Sequence, residues 1–150
     1  MTYRVWEPTP PVGSLQHLSD QERKIADGFG IQRAVWDLNA IQLSLAREPT
    51  LTIVYSTSAQ ESMSDSLKWD DADMRKFIGQ LTKGRYEGSQ WCYAPKRNTP
   101  HAADVYCMGF NRFQGIENQQ LTPWAYVKFS MVGPNLDRLY VLSAHPEGQY

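Results

Sequence analysis

The chain has 150 residues, 41% of them apolar, 12% aromatic and 21% charged, enough for one ordinary core and too few for two. Fifteen Lys and Arg stand against sixteen Asp and Glu, a formal charge of −1. That balance excludes a protein that coats nucleic acid by bulk charge and also a strongly acidic mimic, and the plentiful apolar residues exclude a disordered chain.

In chain order, the first thirteen residues carry Pro8, Pro10 and Pro11, which remove backbone donors and favour an extended strap or arm. Ser19 with Glu22 reads as a capping box, opening a short helix that Asp27-Gly28 and Gly30 close. Asp37 then caps a second helix, whose Leu38, Ile41, Gln42 and Leu45 share one face and which stops at Pro49. The β-branched run Leu51 to Tyr55 fits a small strand or an extended linker. Ser58 and Glu61 predict another capping box with a polar helix to about Leu67, and Asp70 or Asp71 caps a helix with Met74, Phe77, Ile78 and Leu81 in one stripe. From Thr82 to Trp91 glycines, aromatics and bases alternate without a clear period, and a loop with Pro95, Lys96, Arg97, Pro100 and His101 follows. Three strands come next: Asp104 to Phe110, Trp124 to Val132 and Arg138 to His145, the last two joined by a tight Gly133-Pro134-Asn135 turn. Helices followed by an antiparallel meander predict an α+β fold.

Alternation along the second of these strands puts Trp124, Tyr126, Lys128 and Ser130 outwards and Ala125, Val127, Phe129 and Met131 towards the helices. On the last strand it groups Tyr140, Leu142 and Ala144 on one face and Leu139, Val141, Ser143 and His145 on the other.

Several chemistries are not encoded. Cys92 and Cys107 cannot form a disulfide framework or a four-cysteine zinc site, and His17, His101 and His145 have no metal-ligand spacing, so neither a metal nor a cofactor is expected. GxxxxGK[ST], GxGxxG and GxSxG are absent. The N-terminal stretch has no apolar h-region, and no run of about 18 apolar residues occurs, so the expectation is a soluble, cytoplasmic protein that does not enter membranes. What remains is a groove of Tyr126, Lys128 and His145 on neighbouring strands, with the loops around Arg85 to Trp91 and Lys96 to His101 folded over it. These side chains suit phosphodiester cleavage of RNA without a metal: a base takes the 2′-hydroxyl proton, a cation meets the charged transition state and an acid protonates the leaving oxygen. Against this stands the plainer expectation that Tyr-x-Lys is an ordinary half-exposed strand face and that Trp91 belongs to the core edge.

From Trp36 to His145 the order of residues resembles the MqsR family of toxins, the ribonucleases of bacterial type II toxin-antitoxin pairs. The landmarks are Trp36-Asp37-Leu38-Asn39-Ala40-Ile41, Leu51-Thr52-Ile53, Ser58-Ala59, Ile78-Gly79-Gln80-Leu81, Asp104-Val105-Tyr106, Tyr126-Val127-Lys128-Phe129 and Leu142-Ser143-Ala144-His145. The resemblance implies a RelE-like α+β domain over residues 36–150 behind an N-terminal extension of residues 1–35. It further implies metal-independent cleavage of mRNA, and inhibition by a cognate antitoxin, often a zinc-containing DNA-binding protein. The family's strand tyrosine is retained as Tyr126, but one family lysine falls on Glu87 or Gly88 according to the alignment chosen. A family glutamine falls on Ala103, and the terminal lysine falls on His145, which keeps a proton-transfer group without a permanent charge.

The expected catalytic set is therefore Tyr126 and His145 for proton transfer with Lys128 and Arg85 for phosphate, while Gln90, Trp91, Lys96, Arg97 and His101 contact the RNA strand. The alternative is a decayed toxin-like module that binds RNA or a partner protein without cleaving. Between Met74 and Tyr140 nine basic residues face four acidic ones, so the near-neutral total conceals a locally basic segment.

Overall fold

A computed structural model describes residues 3–10, 30–93, 100–111 and 123–147. The elements are β1 (Gly30–Ile31), α1 (Leu38–Ala46), β2 (Ile53–Tyr55), α2 (Thr57–Ser62) running into a π-helical turn (Met63–Leu67), α3 (Asp71–Gln80), a 3₁₀ turn (Lys83–Arg85), β3 (Tyr86–Tyr93), β4 (Pro100–Gly109), β5 (Trp124–Val132) and β6 (Arg138–Pro146). The fold is α+β. Its six strands form one sheet in the order β1-β3-β4-β5-β6-β2, antiparallel throughout except for the parallel pair β2 and β6.

The helices begin where side chains can satisfy their first N–H groups. Asp37 accepts from Ala40 N at 3.1 Å, and Asp70 and Asp73 form a reciprocal capping box at the head of α3. For α2 the capping residue is Ser56, two residues before the expected Ser58: its Oγ accepts from Ala59 N at 3.0 Å and donates to Leu142 O at 2.8 Å. Ser56 wins because it ends β2 against β6, so one hydroxyl serves both the helix and the sheet. The predicted helix at Ser19 and Glu22 lies outside the described residues.

One face of the sheet takes the helices. Ile41, Met74, Phe77 and Ile78 pack on Tyr106, Met108, Val127, Phe129, Met131, Leu139 and Val141, all at most 3% exposed. Trp69, Phe77 and Phe110 form an aromatic triangle with ring centroids 5.1–5.5 Å apart. Residues 3–10 lie along the segment before α1: Val5 N donates to Val35 O and Asp37 N to Tyr3 O, both at 2.7 Å. That segment is fastened from beneath by Asp104, a fully buried carboxylate on β4 that accepts from Val35 N at 3.0 Å, Trp36 N at 2.9 Å and Ser89 Oγ at 2.6 Å. Burial pushes the Asp104 pKa up, and these three bonds partly offset it.

Two bulges decide which side chains reach the opposite face. In β3, Tyr86 pairs with Tyr106 and Gly88 with Val105, leaving Glu87 extra; Gly88 has φ +147°, open to glycine at little cost. In β6, Lys128 pairs with Ser143 and Phe129 with Val141, leaving Leu142 extra. Leu142 corrects the expected grouping: Ala144 joins Leu139 and Val141 in the core, and His145 moves to the face of Ser143 and Tyr140.

Candidate active site

The face turned away from the helices carries Gly88, Gln90 and Cys92 of β3, His101, Ala103, Val105 and Cys107 of β4, Trp124, Tyr126, Lys128 and Ser130 of β5, and Tyr140, Ser143 and His145 of β6. Register lines them up in rows across the strands. Cys107, Tyr126 and His145 make one row, and Val105, Lys128 and Ser143 make the next.

In the first row the Tyr126 and His145 rings stack at 4.6 Å between centroids and 14° between planes, as cross-strand partners can. His145 Nδ1 lies 2.9 Å from Pro146 O. A carbonyl only accepts, so Nδ1 carries the proton in that bond, and the lone pair of the neutral ring sits on Nε2. Arg85, at the end of the 3₁₀ turn, lays its guanidinium 4.9 Å from the centre of the Trp124 ring, two positions before Tyr126 on the same face. Cys107 reports the charges around it: burial first, then Glu147 and Glu87, push its thiol up to about 11, with Arg85 pulling the other way. A guanidinium, two carboxylates, a phenol and an imidazole therefore gather at one end of this face.

The structure thus brings together Tyr126 and His145 and places Arg85 beside Trp124 at the same end. Lys128 shares their face, as alternation predicts, flanked by Val105 and Ser143, but it is buried, only 4% exposed, where an open groove was expected. Gln90 also lies on this face, buried, with its amide donating to Cys92 Sγ at 3.4 Å. Trp91 is 7% exposed and belongs to the helix-side core, because strand alternation turns it away from Gln90; its expected role on the RNA is corrected to packing. His101 is half-buried, edge-on to Tyr140 at 5.6 Å, and six residues along β4 from Cys107, about 20 Å from the Tyr126 row. Lys96 and Arg97 lie outside the described residues.

Glu87 and Glu147 are members of this end that the sequence pattern does not announce, and Trp124, expected on this face, had no role assigned to it. Glu87 is brought there by the β3 bulge, which no local pattern announces, whereas Trp124 is on the face that its i, i+2 spacing to Tyr126 predicts. Among the described residues no group of three or more His, Cys, Asp and Glu side chains comes together to hold a metal, and no helix is long and apolar enough to cross a membrane. Compared with protein-family models, with curated proteins and with solved structures, the chain matches none.

Proposed function

We propose that the protein is a type II toxin of RelE-like architecture, a metal-independent endoribonuclease that cleaves mRNA at the Tyr126–His145 row. The observation that carries this reading is the stacked pair itself: an imidazole whose Nδ1 faces Pro146 O, which leaves Nε2 as the basic atom of the neutral ring, lies directly against a phenol, with a guanidinium at the same end of the sheet. His145 Nε2 takes the proton of the 2′-hydroxyl, and the 2′-oxygen bonds to phosphorus. The bond from phosphorus to the 5′-oxygen breaks, and Tyr126 protonates that leaving oxygen, so the products end in 2′,3′-cyclic phosphate and 5′-hydroxyl. Arg85 supplies the fixed charge for the phosphorane-like state, with Lys128 behind it in the next row. Support also comes from the positions that the MqsR resemblance singles out: Ala103, Tyr126 and His145, with Gly88 in one of the two alignments, fall on one face of one sheet. A cognate antitoxin covering that face would silence it.

A second reading, a toxin-like module that binds RNA or a partner protein without cleavage, is favoured by one observation, the burial of Lys128 to 4%. Incubating purified protein with a defined RNA in EDTA separates the two. The toxin reading expects cyclic-phosphate fragments, with Tyr126→Phe and His145→Ala each slowing cleavage about 10²–10⁴-fold, the range for loss of a general acid or base. Absence of cleavage by the wild-type protein transfers the case to the binding module.

A further inference from the structure

On the helix side of the sheet, at the head of α1, a cavity of about 480 Å³ is lined by aromatic and apolar groups together with Arg33, Lys83, Asp37 and Asn39. Tyr106 and Cys107 are adjacent on β4 and point to opposite faces, so this cavity is separated from the Tyr126 row by the thickness of the sheet. Its volume falls within the range of sites that enclose a drug-sized ligand.

Four features give it a chemical preference. Arg33 and Lys83 are both exposed at the rim, and among the described residues neither forms an ion pair, unlike Arg4 with Glu7 and Arg75 with Asp71; the Arg33 guanidinium rests 4.8 Å from the centre of the Trp6 ring. The first turn of the nine-residue α1 contributes Leu38 and Asn39, whose end of the helix carries the positive pole of its dipole. The walls are the rings of Trp36, Tyr86 and Tyr106, flat surfaces on which a heterocycle packs. Tyr106 is only 3% exposed, yet among the described residues no group hydrogen-bonds its hydroxyl, whereas the neighbouring Tyr86 hydroxyl is engaged with Ser89 Oγ at 2.5 Å. Tyr106 lines the cavity, and a hydroxyl there can donate to a ligand. The Asp37 carboxylate, which caps Ala40 N, and the Asn39 amide supply acceptor and donor for a base edge or a ribose.

We propose that this cavity binds a nucleotide, its phosphate between Arg33 and Lys83 and its base against the tyrosine and tryptophan rings, with the Tyr106 hydroxyl as a hydrogen-bond donor. The same chemistry is offered by a free nucleotide and by one nucleotide of a single strand. This site is independent of the ribonuclease reading, because none of its residues belongs to the Tyr126 row.

The test is a fluorescence or calorimetric titration of the full chain with the four 5′-ribonucleoside monophosphates, the matching nucleosides, inorganic phosphate and a 2′-O-methyl oligonucleotide that cannot be cleaved by 2′-hydroxyl attack. The expected result is saturable binding of a monophosphate or of the oligonucleotide at least about tenfold tighter than nucleoside or phosphate alone, a ratio that a paired charge and a stacked base supply together. Tyr106→Phe, which keeps the ring stacked on Phe129, should weaken it about five- to tenfold, and Lys83→Ala and Arg33→Ala should weaken it with unchanged thermal unfolding. Binding of monophosphates assigns a free nucleotide; binding of the oligonucleotide alone, weakened by the same three variants, assigns a strand. No saturable binding, affinity for phosphate equal to that for nucleotides, or affinity untouched by the three variants overturns the proposal.

Discussion

Tyr126 and His145 meet because each occupies an outward position on antiparallel neighbours in register, and the phenol and imidazole planes then stack. The outward position of Tyr126 was legible from the alternation of β5; His145 was expected in the same groove, although alternation counted from Leu139 turns it to the core, and the extra Leu142 is what brings it round. Burial was the harder quantity to read. Lys128 and Trp91 belong to residue types that strand patterns assign to solvent or to an edge, and only the packed sheet shows both covered. Cys107 offers a residue-scale check on the environment of this row. An ordinary thiol titrates near 9.0, while the folded Cys107 holds its proton up to about 11. At pH 8 the native protein should therefore carry about a hundredfold less thiolate at Cys107 than the unfolded chain, and alkylation by iodoacetamide, read by mass spectrometry, should be slower by a comparable factor. The sign for stability follows: this contribution is complete below pH 9 and is lost as pH rises towards 11, so Cys107→Ala should flatten the alkaline fall in unfolding free energy.

Among elements, α1 and α3 were legible because their caps, Asp37 and Asp70, and their apolar stripes are local features of the chain. β3 was not, since Gly84, Gly88, Lys83, Arg85 and Glu87 carry no alternating pattern. It becomes a strand by pairing with β1 on one side and β4 on the other, after a bulge that turns Tyr86 to the helix side. Asp104 holds this arrangement, joining β4 to the segment before α1 and, through Ser89, to β3. Asp104→Asn puts an amide NH₂ among three donors and loses at least one acceptor. It should destabilise the protein by about 2–3 kcal/mol in urea unfolding, the cost of leaving a buried donor unsatisfied. Because burial raises the Asp104 pKa, the wild-type carboxyl contributes most when protonated and loses that contribution as pH rises through its folded-state value. The deficit of the variant should consequently be larger near pH 4 than at pH 7. A deficit below about 0.5 kcal/mol at both pH values would mean that the segment before α1 is held by the strap of residues 3–10 instead.

At the scale of the whole molecule, one sheet separates two chemically different surfaces. The helix side encloses the core and the cavity rimmed by Arg33 and Lys83, while the other side carries the Tyr126 row with Arg85 at its end. The near-neutral sum of charges conceals this, because the basic excess lies between Met74 and Tyr140, the segment from which β3, β4 and β5 are built. Order of elements sufficed to anticipate an α+β fold, but the six-strand order and the parallel pairing of β2 with β6 depend on contacts distant in sequence and left no local mark. The central claim is that the Tyr126–His145 row drives attack by the 2′-hydroxyl of RNA. It is tested most directly with an oligoribonucleotide cleaved at a mapped bond, beside the same oligonucleotide with one 2′-deoxy substitution on the 5′ side of that bond, both in EDTA. The account predicts that the single substitution abolishes cleavage at that bond and leaves binding intact. Continued cleavage there, with 5′-phosphate or 3′-hydroxyl ends, would contradict it.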